Sequence, residues 1–144
     1  MRKSSIKLGR RHKIWLYSTL IVVFLTGVAW AGLHYFVRRE GEFGPVIHPL
    51  EPWSLKLHGA AAMLILIVLG TLVPLHVRGA WLQKRNRVSG GGLFVFFGLL
   101  TLTGYGLYYF GGETLRAWTS WLHLGLGVLL PAVLVLHIWW GRRS

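Results

Sequence analysis

The chain of 144 residues has no cysteine and no aspartate, and its only acidic residues are Glu40, Glu42, Glu51 and Glu113. Without thiols there can be no disulfide, no thiolate-held iron–sulfur cluster and no covalent c-type haem attachment. Also missing is a dinucleotide fingerprint of the GxGxxG type following a strand. The glycine run Gly90–Gly92 opens a long apolar stretch instead and is not a phosphate loop. No glutamate falls inside any of the apolar stretches, which leaves a membrane proton relay without its usual carboxylates.

What the chain has in quantity is apolar surface and positive charge. It is 53% hydrophobic, too apolar for a soluble domain of this length, and its formal net charge is +12. A basic protein of this kind can bind nucleic acid, but the charge here is segregated. Six Lys or Arg fall in residues 1–13, four in residues 78–87 and two in the closing Gly-Arg-Arg-Ser, while the remaining four, Arg38, Arg39, Lys56 and Arg116, lie in or beside the other two connections and are matched by the four glutamates. This is the asymmetry between the two sides of a membrane protein, not a basic patch that tracks a groove, so no nucleic-acid partner is expected.

Four apolar segments are long enough to span a bilayer, at about 14–37, 53–77, 88–110 and 118–140. Ala29-Trp30-Ala31-Gly32 resembles a leader-peptidase site, but the apolar run continues through Val37, so the first segment is read as a membrane helix. The basic ends place both termini and the 78–87 turn in the cytoplasm. Seven of the eight tryptophans lie near segment ends, where an interfacial belt belongs, and Trp30 is the exception. The expected fold is all-α: one integral-membrane domain over residues 1–144, a four-helix bundle in a bacterial cytoplasmic membrane and in contact with its lipid.

The two halves of the chain resemble each other. Leu25-Thr26-Gly27 and Gly32-Leu33-His34-Tyr35-Phe36 in the first segment correspond to Leu102-Thr103-Gly104 and Gly106-Leu107-Tyr108-Tyr109-Phe110 in the third. Trp53 precedes His58 by five residues, and Trp118 precedes His123 by five. Each half closes on Leu-His and a basic end, with Leu75-His76-Val77-Arg78 matching Leu136-His137 and Arg142. Each half is therefore expected to be a helix hairpin whose returning helix bears two histidines.

His123 and His137 are fourteen residues apart, which is about 21 Å of helix and about 40° short of four turns, so both imidazoles share one face. His58 and His76 are eighteen apart, five whole turns and about 27 Å; the extra rise must be taken up by tilt or by a bend at Pro74. A polar ring in hydrocarbon needs a partner, and imidazole's favoured partner is a metal. Four histidines in two facing pairs suit two b haems: His58 with His123 towards the outside, His76 with His137 towards the cytoplasm. With both axial positions filled, the iron passes electrons and does not bind substrate. Small residues beside the ligands (Gly59 to Ala62, Gly125, Gly127) leave room for a flat macrocycle. Lys56 and Arg116 outside, and Arg78 and Arg142 inside, are the cations available to its propionates.

The Thr-Gly pairs in the first and third segments, the histidine opening the second and the fourteen-residue histidine pair in the fourth resemble the four-helix cytochrome b subunits of bacterial formate dehydrogenases and nickel–iron hydrogenases, and related small membrane cytochromes b. That resemblance covers most of the chain. It implies two b haems carrying electrons across the membrane between a quinone or quinol pool and a partner redox protein. Those subunits often take an inner ligand from the cytoplasmic end of the first helix. The residue here is His12, which would pair with His137 and leave His76 a bystander; the internal repeat favours His76. Any net enzymatic activity then belongs to a complex. Polar residues available to a quinone are Glu51, His48 and Arg116 outside and Arg78 or Arg142 inside. Two other functions fit the composition, a histidine-relay proton or ion transporter and a haem-free membrane anchor subunit.

Overall fold

Uncharged runs of Leu, Val, Ile and Phe leave the backbone in lipid few ways to satisfy its own N–H and C=O groups, and a helix does so within one segment. The computed structural model describes residues 8–84 and 86–143, without the side chains of Leu75 and Arg142. The first seven residues of the basic arm, Ser144 and the expected propionate partner Arg142 lie outside what is described. Four stretches are long and apolar enough to cross a membrane: Arg10–Val37, Leu50–Leu72, Arg87–Tyr109 and Glu113–Gly141.

The chain divides into two compact units, Met1–His76 and Val77–Ser144. In the first, helix α1 (Arg10–Gly32) runs into a π-helical turn, Leu33–Val37. Where a polar loop was expected, the chain makes a small antiparallel hairpin of β1 (Arg39–Gly41) and β2 (Gly44–Val46), with Arg39 opposite Val46 and Gly41 opposite Gly44. Gly44 sits at φ +111°, a conformation closed to most side chains, and so lets the two-residue turn close. Helix α2 (Leu50–Leu72) returns along α1. It begins three residues before the sequence suggests because Pro52 falls in its first turn, where no amide hydrogen is needed, and His48 accepts from the Leu50 amide at 3.2 Å. Pro74 has no amide hydrogen for the helical ladder, and around it the backbone widens into a second π-helical segment, Val73–Val77.

In the second unit, a short helix α3 (Arg78–Leu82) occupies most of the expected basic turn. Helices α4 (Arg87–Tyr109) and α5 (Glu113–Arg143) pack on one another. Gly112, at φ +68°, turns the chain between them.

The packed stripes follow the helical period. On α2 the buried residues Glu51, Ser54, Ala61, Ile65 and Leu72 recur at three, four and seven, with His58 in the same register. On α5, Thr119 and Leu130 are buried, with His123 and His137 in step with them. Most other large apolar side chains face outward, among them Phe94 at 66% exposure and Leu102 at 68%. An apolar outer face with a polar, small-residue seam is the arrangement of helices solvated by lipid, where polar contacts and close packing hold hairpins together.

Candidate functional site

The seam of each hairpin carries half-buried imidazoles, and His58, His123 and His137 each have Nδ1 against an oxygen of the neighbouring helix. In the first unit, His58 Nδ1 lies 2.9 Å from the Val23 carbonyl oxygen and 3.3 Å from Thr26 Oγ1. A carbonyl only accepts, so Nδ1 carries the proton and, in the neutral ring, Nε2 carries the lone pair. Thr26 donates its own hydroxyl proton back to the Val22 carbonyl at 2.7 Å. Beside it, a Cβ on Gly27 would stand 3.0 Å from His58 Cε1, so only glycine gives the ring this place without displacement.

The second unit repeats the device. Thr103 donates to the Leu99 carbonyl at 2.7 Å, and its oxygen stands 2.9 Å from His123 Nδ1. A hydroxyl can donate to the ring nitrogen or accept from it. A Cβ on Gly104 would come within 3.2 Å of His123 Cε1. Further along the same two helices, Ser89 Oγ lies 3.3 Å from His137 Nδ1 and 3.4 Å from the Asn86 carbonyl, and Gly90 is the next residue. Fourteen residues separate Ser89 from Thr103, as fourteen separate His123 from His137, so α4 presents a hydroxyl–glycine pair to each histidine of α5.

His76 is held differently. It lies in the π-helical segment, and its Nδ1 is the one buried side-chain nitrogen or oxygen without a hydrogen-bond partner among the described residues. The expected propionate cations are at the surface: Arg78 and Arg116 are exposed, and Lys56 places its ammonium 4.8 Å from the Trp53 ring centroid. At Gly125 and Gly127, on the turn after His123, an added Cβ meets nothing within 4 Å. No group of three or more metal-ligating side chains occurs among the described residues.

The end of the first unit where α1 gives way to the Leu33–Val37 turn holds a second polar cluster. Glu51, read from sequence as a loop residue, is 4% exposed in the first turn of α2. Both of its oxygens accept from Arg38, one from Nε at 3.0 Å and the other from Nη2, and His34 Nδ1 lies 2.8 Å from Oε1. The hydrogen bond to Glu51 holds the Arg38 guanidinium above its already high range. His34 also stacks on Trp30 at 4.6 Å.

The roles of Thr26, Gly27, Thr103, Gly104, Ser89 and Gly90 were missed at the level of sequence, although the Leu-Thr-Gly repeat was visible. What could have found them is the match of two spacings, fourteen on α4 and fourteen on α5. Comparison with protein-family models, curated proteins and solved structures finds no match to this chain.

Proposed function

We propose that the chain is a di-haem b-type membrane cytochrome, a four-helix bundle of two tandem hairpins with both termini in the cytoplasm of a bacterium. It would carry electrons across the inner membrane between a quinone or quinol pool and a partner redox protein. The observation that carries this reading is the shared placement of His58 and His123, each with Nδ1 against an oxygen of the neighbouring helix, the Val23 carbonyl or the Thr103 hydroxyl, and a glycine beside the ring. Metal-ligating histidines almost always hold their second nitrogen to such a group.

The donor set fits haem iron. His58, His123 and His137 each have an oxygen of the neighbouring helix at Nδ1, glycine beside the ring, and helix register towards the seam. A bis-histidine b haem supplies one-electron transfer with no open coordination site. The protein's part is to fix the imidazoles, exclude water from the seam and offer an apolar exterior to lipid. The same hydrogen bonds weigh against a histidine relay. A relay must release at one ring nitrogen the proton it takes up at the other. The Val23 carbonyl, which faces His58 Nδ1, has no proton to exchange.

The sequence repeat names His76 as the fourth ligand. A second reading, with His12 in that place, is favoured by a specific observation: His76 lacks the Nδ1 partner that the other three share. Stepping fourteen residues back from Thr26 along α1, the interval between Thr103 and Ser89 on α4, reaches His12.

The experiment is purification in detergent from cells with adequate haem supply, followed by oxidised and dithionite-reduced spectra and a pyridine haemochrome assay. Two low-spin b haems per chain are expected. His12→Ala and His76→Ala, assayed in the same way, identify the fourth ligand by which of them loses a haem. A folded, colourless protein refutes the cytochrome reading and leaves the anchor.

A further inference from the structure

Positive charge in the second unit gathers at one end. Six of its seven cations, Arg78, Lys84, Arg85, Arg87, Arg142 and Arg143, fall in residues 78–87 or 142–143. Of these, Arg78, Lys84, Arg87 and Arg143 are described and exposed. A Cβ on Gly141 would stand 3.3 Å from Asn86 Nδ2, so the end of α5 lies against the turn into α4. The seventh cation, Arg116, shares the start of α5 with Glu113, the one carboxylate side chain of this unit. Thirty residues of helix, about 45 Å, separate Glu113 from Arg143. Both ion pairs among the described residues belong to Glu51, in the first unit. Within the second unit, the basic end has no acidic side chain to balance it.

Two of these cations are backed by tryptophan. Arg87 donates from Nε and Nη2 to the Trp81 carbonyl at 3.1 and 2.8 Å, and its guanidinium carbon lies 5.1 Å from the Trp81 ring centroid. A guanidinium has five N–H groups, so three remain for another acceptor. The Arg143 guanidinium carbon lies 3.6 Å from the Trp139 centroid. Asn86 and Gly141, which meet, precede Arg87 and Arg143 by one and two residues, so the two arginines flank one contact. Trp81, Leu82, Val88, Leu136 and Trp139 beside them are all exposed. Along α5 the order Arg143, Trp139, Leu136 runs cation, indole, aliphatic, which is the order of phosphate, interface and acyl chain in a lipid leaflet.

We propose that this end of the second unit binds an acidic phospholipid, whose phosphate is held by Arg87 and Arg143 and whose acyl chains lie on the exposed apolar flank. The proposal needs a membrane-spanning chain and does not depend on haem. Arginine suits the role, because its planar fork matches the oxygens of a phosphate and it keeps its charge on an aromatic face. Clustered cations at the end of membrane helices are the usual mark of acidic-lipid recognition. An acidic soluble partner would match the charge but would leave the indole and aliphatic flank uncovered.

The test titrates the full chain, stripped of lipid in a non-ionic detergent, with phosphatidylglycerol or with phosphatidylcholine of the same acyl chains. Native mass spectrometry counts the lipid bound. The chain should retain phosphatidylglycerol in preference to phosphatidylcholine. One cation near the surface is worth roughly fivefold in affinity for acidic lipid, so Arg87→Gln/Arg143→Gln should weaken phosphatidylglycerol binding by roughly thirtyfold. Arg10→Gln/Arg11→Gln removes the same charge from the exposed start of α1 and should weaken it by less than about fivefold. Arg87 also ties down the turn, so if the double variant does not fold, Arg143→Gln is read against Arg11→Gln, with a loss of roughly fivefold expected of Arg143→Gln alone. Equal losses in the matched variants, or no preference between the two lipids, overturns the proposal, because charge without a site then accounts for the binding. Displacement of the lipid by inorganic phosphate at equal concentration overturns it as well, and so does binding of a polyglutamate peptide in place of phosphatidylglycerol.

Discussion

Replacing Gly27 by alanine tests the ring–glycine notch directly, and its consequence follows from two distances. The new Cβ would stand 3.0 Å from His58 Cε1 and 3.2 Å from Nδ1, where ordinary contact begins near 3.4 Å. The ring must withdraw by about 0.4 Å, and it is tied on that same side by the 2.9 Å bond from Nδ1 to the Val23 carbonyl. Overpacking of this kind costs about 1–3 kcal/mol. Alanine in a helix interior returns about 1 kcal/mol relative to glycine. Gly98, exposed on α4, is the matched control, because a Cβ there meets nothing within 4 Å and only the helix gain remains. The two variants should therefore differ in stability by about 1–3 kcal/mol, with Gly98→Ala at or above the parent. Gly104→Ala, whose nearest approach is 3.2 Å to His123 Cε1, should fall between them. Unfolding of detergent-solubilised protein by titration with a denaturing detergent, followed by tryptophan fluorescence, ranks all three. A Gly27→Ala protein as stable as Gly98→Ala would refute the notch.

Further outcomes are expected. His58→Ala and His123→Ala should each lower the haem content of the folded protein from two per chain, read by pyridine haemochrome, while the helical circular dichroism is kept. Glu51→Gln removes the charge that accepts from Arg38 and faces His34, and should destabilise the first hairpin by about 2 kcal/mol. Arg38→Lys should not preserve the contact, since an ammonium cannot span both carboxylate oxygens. The exposed Glu113→Gln should change stability by less than about 0.5 kcal/mol. The absence of native cysteine makes single-cysteine labelling clean: Phe43→Cys, at the 98% exposed tip of the β-hairpin, should react with an impermeant maleimide on intact cells. Lys84→Cys, in the basic turn, should react only after the membrane is opened, and the reverse pattern would invert the assigned topology.

Much of the architecture could be read without coordinates. Length and apolarity alone require helices, because lipid offers no partner for backbone groups, and the four spanning stretches lie where the hydrophobic runs do. Their ends moved by a few residues for local reasons: Pro52 tolerated in a first turn, Pro74 widening the helix around it, and Gly44 closing a strand pair within an expected loop. The histidines were legible as candidates because a polar ring in an apolar run stands out by composition. Periodicity placed His58, His123 and His137 on the packed stripes.

The partners of those rings were decided by tertiary structure. Which backbone carbonyl meets a histidine depends on how two antiparallel helices are set in register, and nothing in Val23 itself marks it as an acceptor. The Leu-Thr-Gly repeat was plain as a pattern, but only the pairing of α1 with α2 and of α4 with α5 shows the hydroxyl beside one ring nitrogen and the glycine beneath the ring. Glu51 is the opposite case: a glutamate between two prolines reads as a solvated loop. It is buried because the turn of chain through Leu33–Val37 carries His34 and Arg38 onto it. Composition determined that the chain carries helices long and apolar enough to cross a membrane and that the polar rings among them are imidazoles. Helix register, which a single sequence states only as a period, decided which atoms meet each ring.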